Sequence, residues 1–455
     1  MYSEKGDLTQ GSIFGKLIHM AIPIMGSQLL QMSYSLINMI WLGRIGSGAL
    51  AASGTGGMYV WLSVGMMMLG SMGAGIGVSQ NFGKGDLAEA LRYAQHAVWV
   101  SILAGIAYGL FLVLGHGPLI DFFNITDKAV ALDAKAYLTI LGVGIPFTYV
   151  NASITSIFNG VGNSRASFLM SSVGLILNVI LDPVMIFLVG WGVIGAAVAT
   201  VISQAAATLV ALIFIFKKRD RPFSQFSLIW KPSLIHLKQI ITWSVPVALE
   251  CTFMPLLAMV TSRFEASYGP DAMAAGRIGS QVESITWLVG GGFMQAVTSF
   301  VGQNYGARKW ARIHKGFRVQ LLTMTVYGFC VGSLMLLFGR YIFMFFIPEN
   351  NIVIEYGAVY LTVMAFCQPP ACVEGVAGGN FKGMGRTLPP SVTSLSFNLL
   401  RVILAYVFMT SGLGLYGVWI GVCTASSLRG LALLQWHLVA RRKFPTADVE
   451  VIATF

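Results

Sequence analysis

The sequence predicts an all-α integral membrane protein, with twelve transmembrane helices in two pseudo-symmetric six-helix bundles formed by a parallel repeat. Three observations predict it. Of 455 residues, 56% are hydrophobic and only 10% are charged, whereas a soluble globular protein carries roughly 25% charge. The apolar residues also fall into runs long enough to cross a bilayer core, which takes about 20 residues of helix. Finally, the chain reads twice. Pro23 is answered by Pro246, Tyr137-Leu138-Thr139 by Tyr360-Leu361-Thr362, and Pro146 by Pro369. Gln80-Asn81-Phe82-Gly83 is answered by Gln303-Asn304-Tyr305-Gly306 and Gly160/Gly162 by Gly383/Gly385, every pair 223 residues apart. After one deletion the spacing becomes 222, which pairs Gly190, Gly192 and Gly195 with Gly412, Gly414 and Gly417.

The first repeat supplies spans at about 15–42, 52–78, 93–116, 131–159, 165–189 and 193–216. The first of these carries the polar Asn38. The second is rich in glycine (Gly65, Gly70, Gly73, Gly75, Gly77), which lets membrane helices approach closely. The fifth carries Asp182-Pro183, where the proline cannot donate a backbone hydrogen bond and frees the Val179 carbonyl. The second repeat supplies spans at about 238–264, 274–301, 317–340, 353–380, 388–411 and 415–439, with a kink expected at Pro369-Pro370. Six is even, so both repeats share one orientation, related by an axis along the membrane normal. The lobes are 1–216 and 239–455, joined by a linker at 217–238.

The net charge of +11 invites a nucleic-acid reading, but the positions of the charges argue against one. Lys84, Arg165, Lys217-Lys218-Arg219, Arg308, Lys309, Lys382, Arg386 and Arg441-Arg442-Lys443 fall on one set of loops. The opposite set has few, such as Arg44, Lys128 and Arg340. By the positive-inside rule the basic side and both termini are cytoplasmic. Residues 1–11 are polar and do not read as a signal peptide. The five cysteines lie in apolar runs without metal-ligand or disulfide spacing. No Walker loop, nucleophile elbow or dinucleotide fingerprint occurs, so no cofactor and no hydrolysis within the chain are expected.

An ionisable group inside a bilayer costs several kcal/mol and is a functional candidate for that reason. The spans hold Asp182, Glu250, Glu283, Glu374 and Arg401. Across the repeat these acids face Leu404, Ser27, Val60 and Asn151, respectively, so none has a carboxylate counterpart. Asn178 and Asp182 are four apart, on one helix face, and Thr200 lies four beyond Ala196. With Asn38 these groups offer a carboxylate, amide oxygens, a hydroxyl and backbone carbonyls, a set suited to a small monovalent cation (Na⁺ at Asp182, Asn178 and Thr200) or a shuttled proton. A hydrogen-bonded cluster that only locks helices together is the alternative. Glu250, four beyond Pro246, could exchange protons or pair with a cationic substrate if it converges with Glu283 and Glu374; a structural pairing of one of them with Arg401 is the other reading. Tyr34, Tyr149, Trp61, Trp287, Phe253, Met254 and Met294 are candidates for lining a pocket through cation–π and soft apolar contacts, and Asn151 and Arg401 complete the expected substrate surface.

An apolar chain built as a repeat is the mark of a two-lobed transporter. The paired motifs Val78-Ser79-Gln80-Asn81-Phe82-Gly83 and Val301-Gly302-Gln303-Asn304-Tyr305-Gly306-Ala307 sharpen this. With Ala274-Ala275-Gly276, Glu283-Ser284 and Gly383-Met384-Gly385-Arg386-Thr387, the chain resembles the multidrug and toxic compound extrusion (MATE) family over about residues 12–440. Its fifth span, Leu177-Asn178-Val179-Ile180-Leu181-Asp182-Pro183, is similar to that of the bacterial DinF-like branch. The resemblance implies two bundles around a central cavity and export of organic, often cationic or amphipathic compounds in exchange for H⁺ or Na⁺. It also implies a monomer in the cell membrane. The branch's cation site falls on Asn38, Asn178, Asp182 and Thr200 with the Ala196 carbonyl. Asn38 stands where the family usually has Asp, and an amide cannot titrate, so Asp182 is the only carboxylate there. In another branch the seventh-span Glu matches Glu250, while its tenth-span acid falls on Ala371, one turn from Glu374. Coupling is therefore expected to lean on Glu250, Glu374 and Glu283, with Asp182 assisting. The rival readings are a flippase or exporter of a lipid-linked or peptide-like product, a membrane enzyme and a non-transporting sensor.

Overall fold

The computed structural model describes residues 6–216, 226–227, 232–445 and 448. Among them the regular structure is entirely helical: α1 Ile13–Ile45, α2 Ser47–Leu62, α3 Val64–Lys84, α4 Leu87–Asp121, α5 Lys128–Gly160, α6 Ser164–Pro183, α7 Gly192–Phe216, α8 Leu234–Ala266, α9 Pro270–Gly306, α10 Trp310–Phe346, α11 Asn351–Ala365, α12 Gln368–Gly383, α13 Leu388–Phe408 and α14 Gly414–Arg441. Most of the expected linker, 217–225 and 228–231 with its basic cluster, lies outside the described residues. Its end, 234–238, is the start of α8.

Ten continuous helical stretches among the described residues are long and apolar enough to cross a membrane, and the pair α11–α12, bent by 45°, makes an eleventh. One of the ten, Leu388–Arg441, is two crossings. The chain turns at Gly412, whose φ of 98 is a left-handed value that favours glycine, and α13 then packs against α14. Twelve crossings result. The bend between α11 and α12 falls just before Pro369 and Pro370, which occupy the first turn of α12, where a missing N–H costs nothing. Pro183 closes α6, and the chain continues as a π-helical turn, Val184–Leu188.

The repeat is visible in the contacts. Asp127 caps α5 by accepting from the Ala129 N–H at 2.8 Å, and Asn350, 223 residues on, caps α11 from Ile352 at 3.1 Å. A Cβ at Gly105 would stand 2.7 Å from Pro146 Cα, and one at Gly328 2.7 Å from Pro369 Cα. One contact recurs with its partners exchanged. In the first repeat Gly77 lies under the ring of Tyr93; in the second Phe300 fills the place of Gly77 and Gly316 that of Tyr93.

These contacts also correct the register. Gly195 packs on the Met185 carbonyl and Gly417 on the Phe408 carbonyl. Met185 and Phe408 are still 223 apart, whereas Gly195 and Gly417 are 222 apart, so the deletion falls after residue 185. Asp182 is therefore answered by Ala405, not Leu404, and Asn178 by Arg401.

Contacts divide the chain into two compact units, the first drawing on Met1–Gln10 and His19–Thr252 and the second on Gly11–Ile18 and Phe253–Phe455. The first has apolar clusters around Ile154, Ile157 and Phe158 and around Leu138, Tyr149 and Ala196. The second is centred on Phe343, Leu361 and Trp419.

Candidate functional site

In the first unit the polar residues of α1, α6 and α7 meet. Asp182 and Asn178 are buried, and the Asn178 amide donates to Asp182 Oδ1 at 3.2 Å. A carboxylate only accepts, so this bond fixes the amide's orientation and turns Asn178 Oδ1 away. Thr200 donates to the Ala196 carbonyl at 2.9 Å, as expected for an i, i+4 hydroxyl. That uses its one hydrogen, so the Tyr34 hydroxyl, 2.9 Å away, is the donor to Thr200 Oγ1. Asn38 Nδ2 reaches Tyr34 at 3.5 Å. Tyr34 thus stands at the centre, within interaction range of Asn38, Asn178, Asp182 and Thr200. It is part of this polar chain while remaining partly exposed.

Among the described residues three buried acceptors here have no hydrogen-bond partner: Asn38 Oδ1, Asn178 Oδ1 and Asp182 Oδ2. A buried polar atom left unsatisfied costs about 1–3 kcal/mol. Three oxygens with one negative charge fit a proton or an oxygen-liganded monovalent cation such as Na⁺.

The second unit holds a mixed cluster of charges. Glu283 accepts from the Tyr360 hydroxyl at 2.9 Å and the Gln368 amide at 3.3 Å. Glu265 on the last turn of α8 accepts from Trp419 Nε1 at 3.0 Å. Gly276 makes room for it, since a Cβ there would lie 2.6 Å from its carboxylate. Arg401 interacts electrostatically with both glutamates, while its Nε is buried without a hydrogen-bond partner. Glu374 is held by Arg429 Nε at 2.8 Å. The second unit thus holds three carboxyl groups, Glu265, Glu283 and Glu374, and two guanidiniums, Arg401 and Arg429, of which Glu374 and Arg429 form a direct ion pair.

The remaining candidates are dispersed. Glu250 is half-buried on α8, in the first unit. Asn151 bonds to the Gln204 side chain at 3.0 Å, a neutral pair on the same two spans of the first repeat that hold Glu374–Arg429 in the second. Tyr149 is fully buried, with its hydroxyl on the Ser63 carbonyl at 2.8 Å. Phe253 and Met254 are exposed. Trp287 and Met294 line a cavity within the second unit. Sequence reasoning missed Glu265, Gln368, Trp419 and Arg429. Glu265 and Arg429 carried a signal, a charge in or beside an apolar span.

Twelve apolar crossings in a repeated pattern, enclosing buried charges and unsatisfied oxygens, define an integral membrane transporter. The chain matches the MatE family model over residues 23–184 and again over 246–407, the second match beginning and ending 223 residues after the first. It is 26% identical over 429 residues to the probable multidrug resistance protein NorM of Thermotoga maritima, covering 93% of this chain and 92% of that one. It is 28% identical over 446 residues to the probable multidrug resistance protein YpnP of Bacillus subtilis, covering 96% and 97%. A MATE crystal structure in the straight conformation superposes with a TM-score of 0.90 over 98% of this chain and 99% of the other, at 22% identity, a likeness of fold alone. The chain belongs to the MatE family, the multidrug and toxic compound extrusion transporters.

Proposed function

We propose that this transporter is a secondary active antiporter that exports organic, often cationic or amphipathic small molecules in exchange for inward H⁺ or Na⁺. One observation carries the reading: the three unpartnered oxygens around Asp182, which lack a positive charge. The Glu265–Glu283–Arg401 cluster supports a second coupling position. Glu374 is already neutralised by Arg429, so it serves packing more than coupling. The relatives named for multidrug resistance support the substrate class.

Export requires that cation and substrate prefer different states of the protein. The lobes 1–216 and 239–455 rock against each other. Substrate enters from the cytoplasm, and a cation arriving from outside favours the state that releases it. The protein works as a monomer in the cell membrane, with both termini cytoplasmic and no cofactor. The test is reconstitution in liposomes with a pH gradient and a Na⁺ gradient imposed separately, reading efflux of a fluorescent organic cation. Efflux driven by one gradient and lost in Asp182→Asn is expected. Efflux that ignores both gradients would sink the antiport reading.

A further inference from the structure

The cavity of the second unit measures about 60 Å³ and lies among α9, α10 and α12, where it is lined by Trp287, Met294, Met324, Gln368, Cys372 and Gly375. Its buried polar lining is Gln368, only 2% exposed, and Thr286, 7% exposed. The amide nitrogen of Gln368 lies 3.1 Å from the Met364 carbonyl and 3.3 Å from Glu283 Oε1. Both neighbours are acceptors, so the orientation of the amide is fixed by chemistry, and its two hydrogens are spent on them. What Gln368 can still offer a ligand is its carbonyl oxygen, a hydrogen-bond acceptor.

The repeat shows that two residues lining this space are particular to the second unit. At a spacing of 223, Cys372 is answered by Tyr149 and Gln368 by Ile145. In the first repeat Tyr149 and Ile145 are both buried in the apolar core. Where one copy has a phenol ring and an aliphatic chain, the other has a thiol, an amide and a void.

We infer that this cavity is a subsite for the ammonium end of an exported amine, which donates an N–H to the Gln368 oxygen while Glu283 holds the amide in place. This deepens the exporter reading and rests on it. The walls suit such a group. Trp287 supplies an aromatic ring, and Met294 and Met324 are polarizable and adaptable. A drug-sized ligand needs a pocket of about 300–1,000 Å³, so only the small terminal group enters and the rest of the molecule lies outside. A quaternary ammonium has no N–H to give and is disfavoured.

The experiment compares two probes that differ by one methyl group, an aryl-alkyl tertiary amine in its protonated form and its N-methyl quaternary counterpart. Equilibrium binding to the full chain in detergent is read by tryptophan fluorescence. The tertiary ammonium is expected to bind about tenfold tighter, the worth of one hydrogen bond to a charged group. Gln368→Met removes the oxygen at similar length and should abolish that preference. Gly375→Ala is the companion variant, because a Cβ at Gly375 meets nothing within 4 Å and the change puts a methyl group into the cavity. It places alanine where the first repeat has Ala152 and should weaken both probes. Equal affinities in the unmodified protein, a preference that survives Gln368→Met, or unchanged binding in Gly375→Ala would each overturn the assignment. Binding in detergent requires no gradient. A protein that prefers the N–H probe but transports nothing would therefore keep the subsite and lose the antiporter, and coupled export without the preference would do the reverse.

Discussion

The Gly328–Pro369 contact makes a quantitative prediction. In Gly328→Ala the new Cβ would lie 2.7 Å from Pro369 Cα, 3.0 Å from its nitrogen and 3.1 Å from the Gln368 carbonyl oxygen, against 3.4–4 Å for an ordinary contact. All three atoms are backbone, so no rotamer relieves the clash, and α10 and the start of α12 must separate by about 0.7 Å. Overpacking of this kind costs about 1–3 kcal/mol. The substitution also gains about 1 kcal/mol of helix propensity, which blurs a comparison with the unmodified protein. Gly375→Ala removes the ambiguity. It earns the same propensity on α12 with no atom within 4 Å of its Cβ. The two alanine variants should therefore differ by about 1–3 kcal/mol. Thermal unfolding in detergent at one fixed heating rate is the assay, since such transitions are commonly irreversible. Gly375→Ala should melt at or above the parent and Gly328→Ala several degrees below Gly375→Ala. Equal melting temperatures for the two would refute the reasoning, and with it the claim that this glycine is there for close approach.

Asp182→Asn should cut cation-driven efflux at least tenfold yet leave the melting temperature equal or higher, because a buried carboxylate with an unpartnered oxygen is exchanged for a neutral amide; a large loss of stability would mean that the carboxylate serves the scaffold. Glu374→Gln or Arg429→Met alone strands the other charge and should destabilise by about 3–5 kcal/mol, with the double variant milder than the sum; strictly additive losses in unfolding would count against a direct pair. Gly77→Phe should fold poorly, since Tyr93 already lies 2.6 Å from a Cβ at that position. Adding Tyr93→Gly, which reproduces the second repeat's arrangement, should restore part of the yield measured by size-exclusion chromatography. The recovery should be incomplete because Tyr93 also packs on Trp243, with ring centroids 5.7 Å apart.

What was legible in the sequence was whatever depends on spacing along one helix or between copies. The 223-residue repeat gave the equivalence of Pro146 and Pro369, and the i, i+4 rule placed Asn178 with Asp182 and Thr200 with the Ala196 carbonyl. What was not legible depends on how helices are rotated about their axes. Arg429 and Glu374 are 55 residues apart, and Trp419 and Glu265 are 154 apart; no periodicity connects them. Tyr34, expected to line a pocket, also bonds to Thr200, 166 residues away, a contact that no periodicity connects. The register error at Asp182 has a simpler cause. A deletion between two anchor points can be placed anywhere between them until a contact such as Gly195 on Met185 pins it.

The exchanged pair Gly77–Tyr93 and Phe300–Gly316 bears on how the two halves came to differ. If both descend from one duplicated unit, the ring had to change sides. Two rings cannot share the space, because even a single Cβ at Gly77 or Gly316 would lie 2.6 Å from the ring opposite. Stepwise descent therefore had to pass through small residues on both sides, with a hole between the helices. Replacing a buried aromatic by a small side chain costs about 3–5 kcal/mol. The ancestor at that step must have had stability in reserve, and a present-day half has no single-substitution path back to the other's arrangement that avoids the same low point.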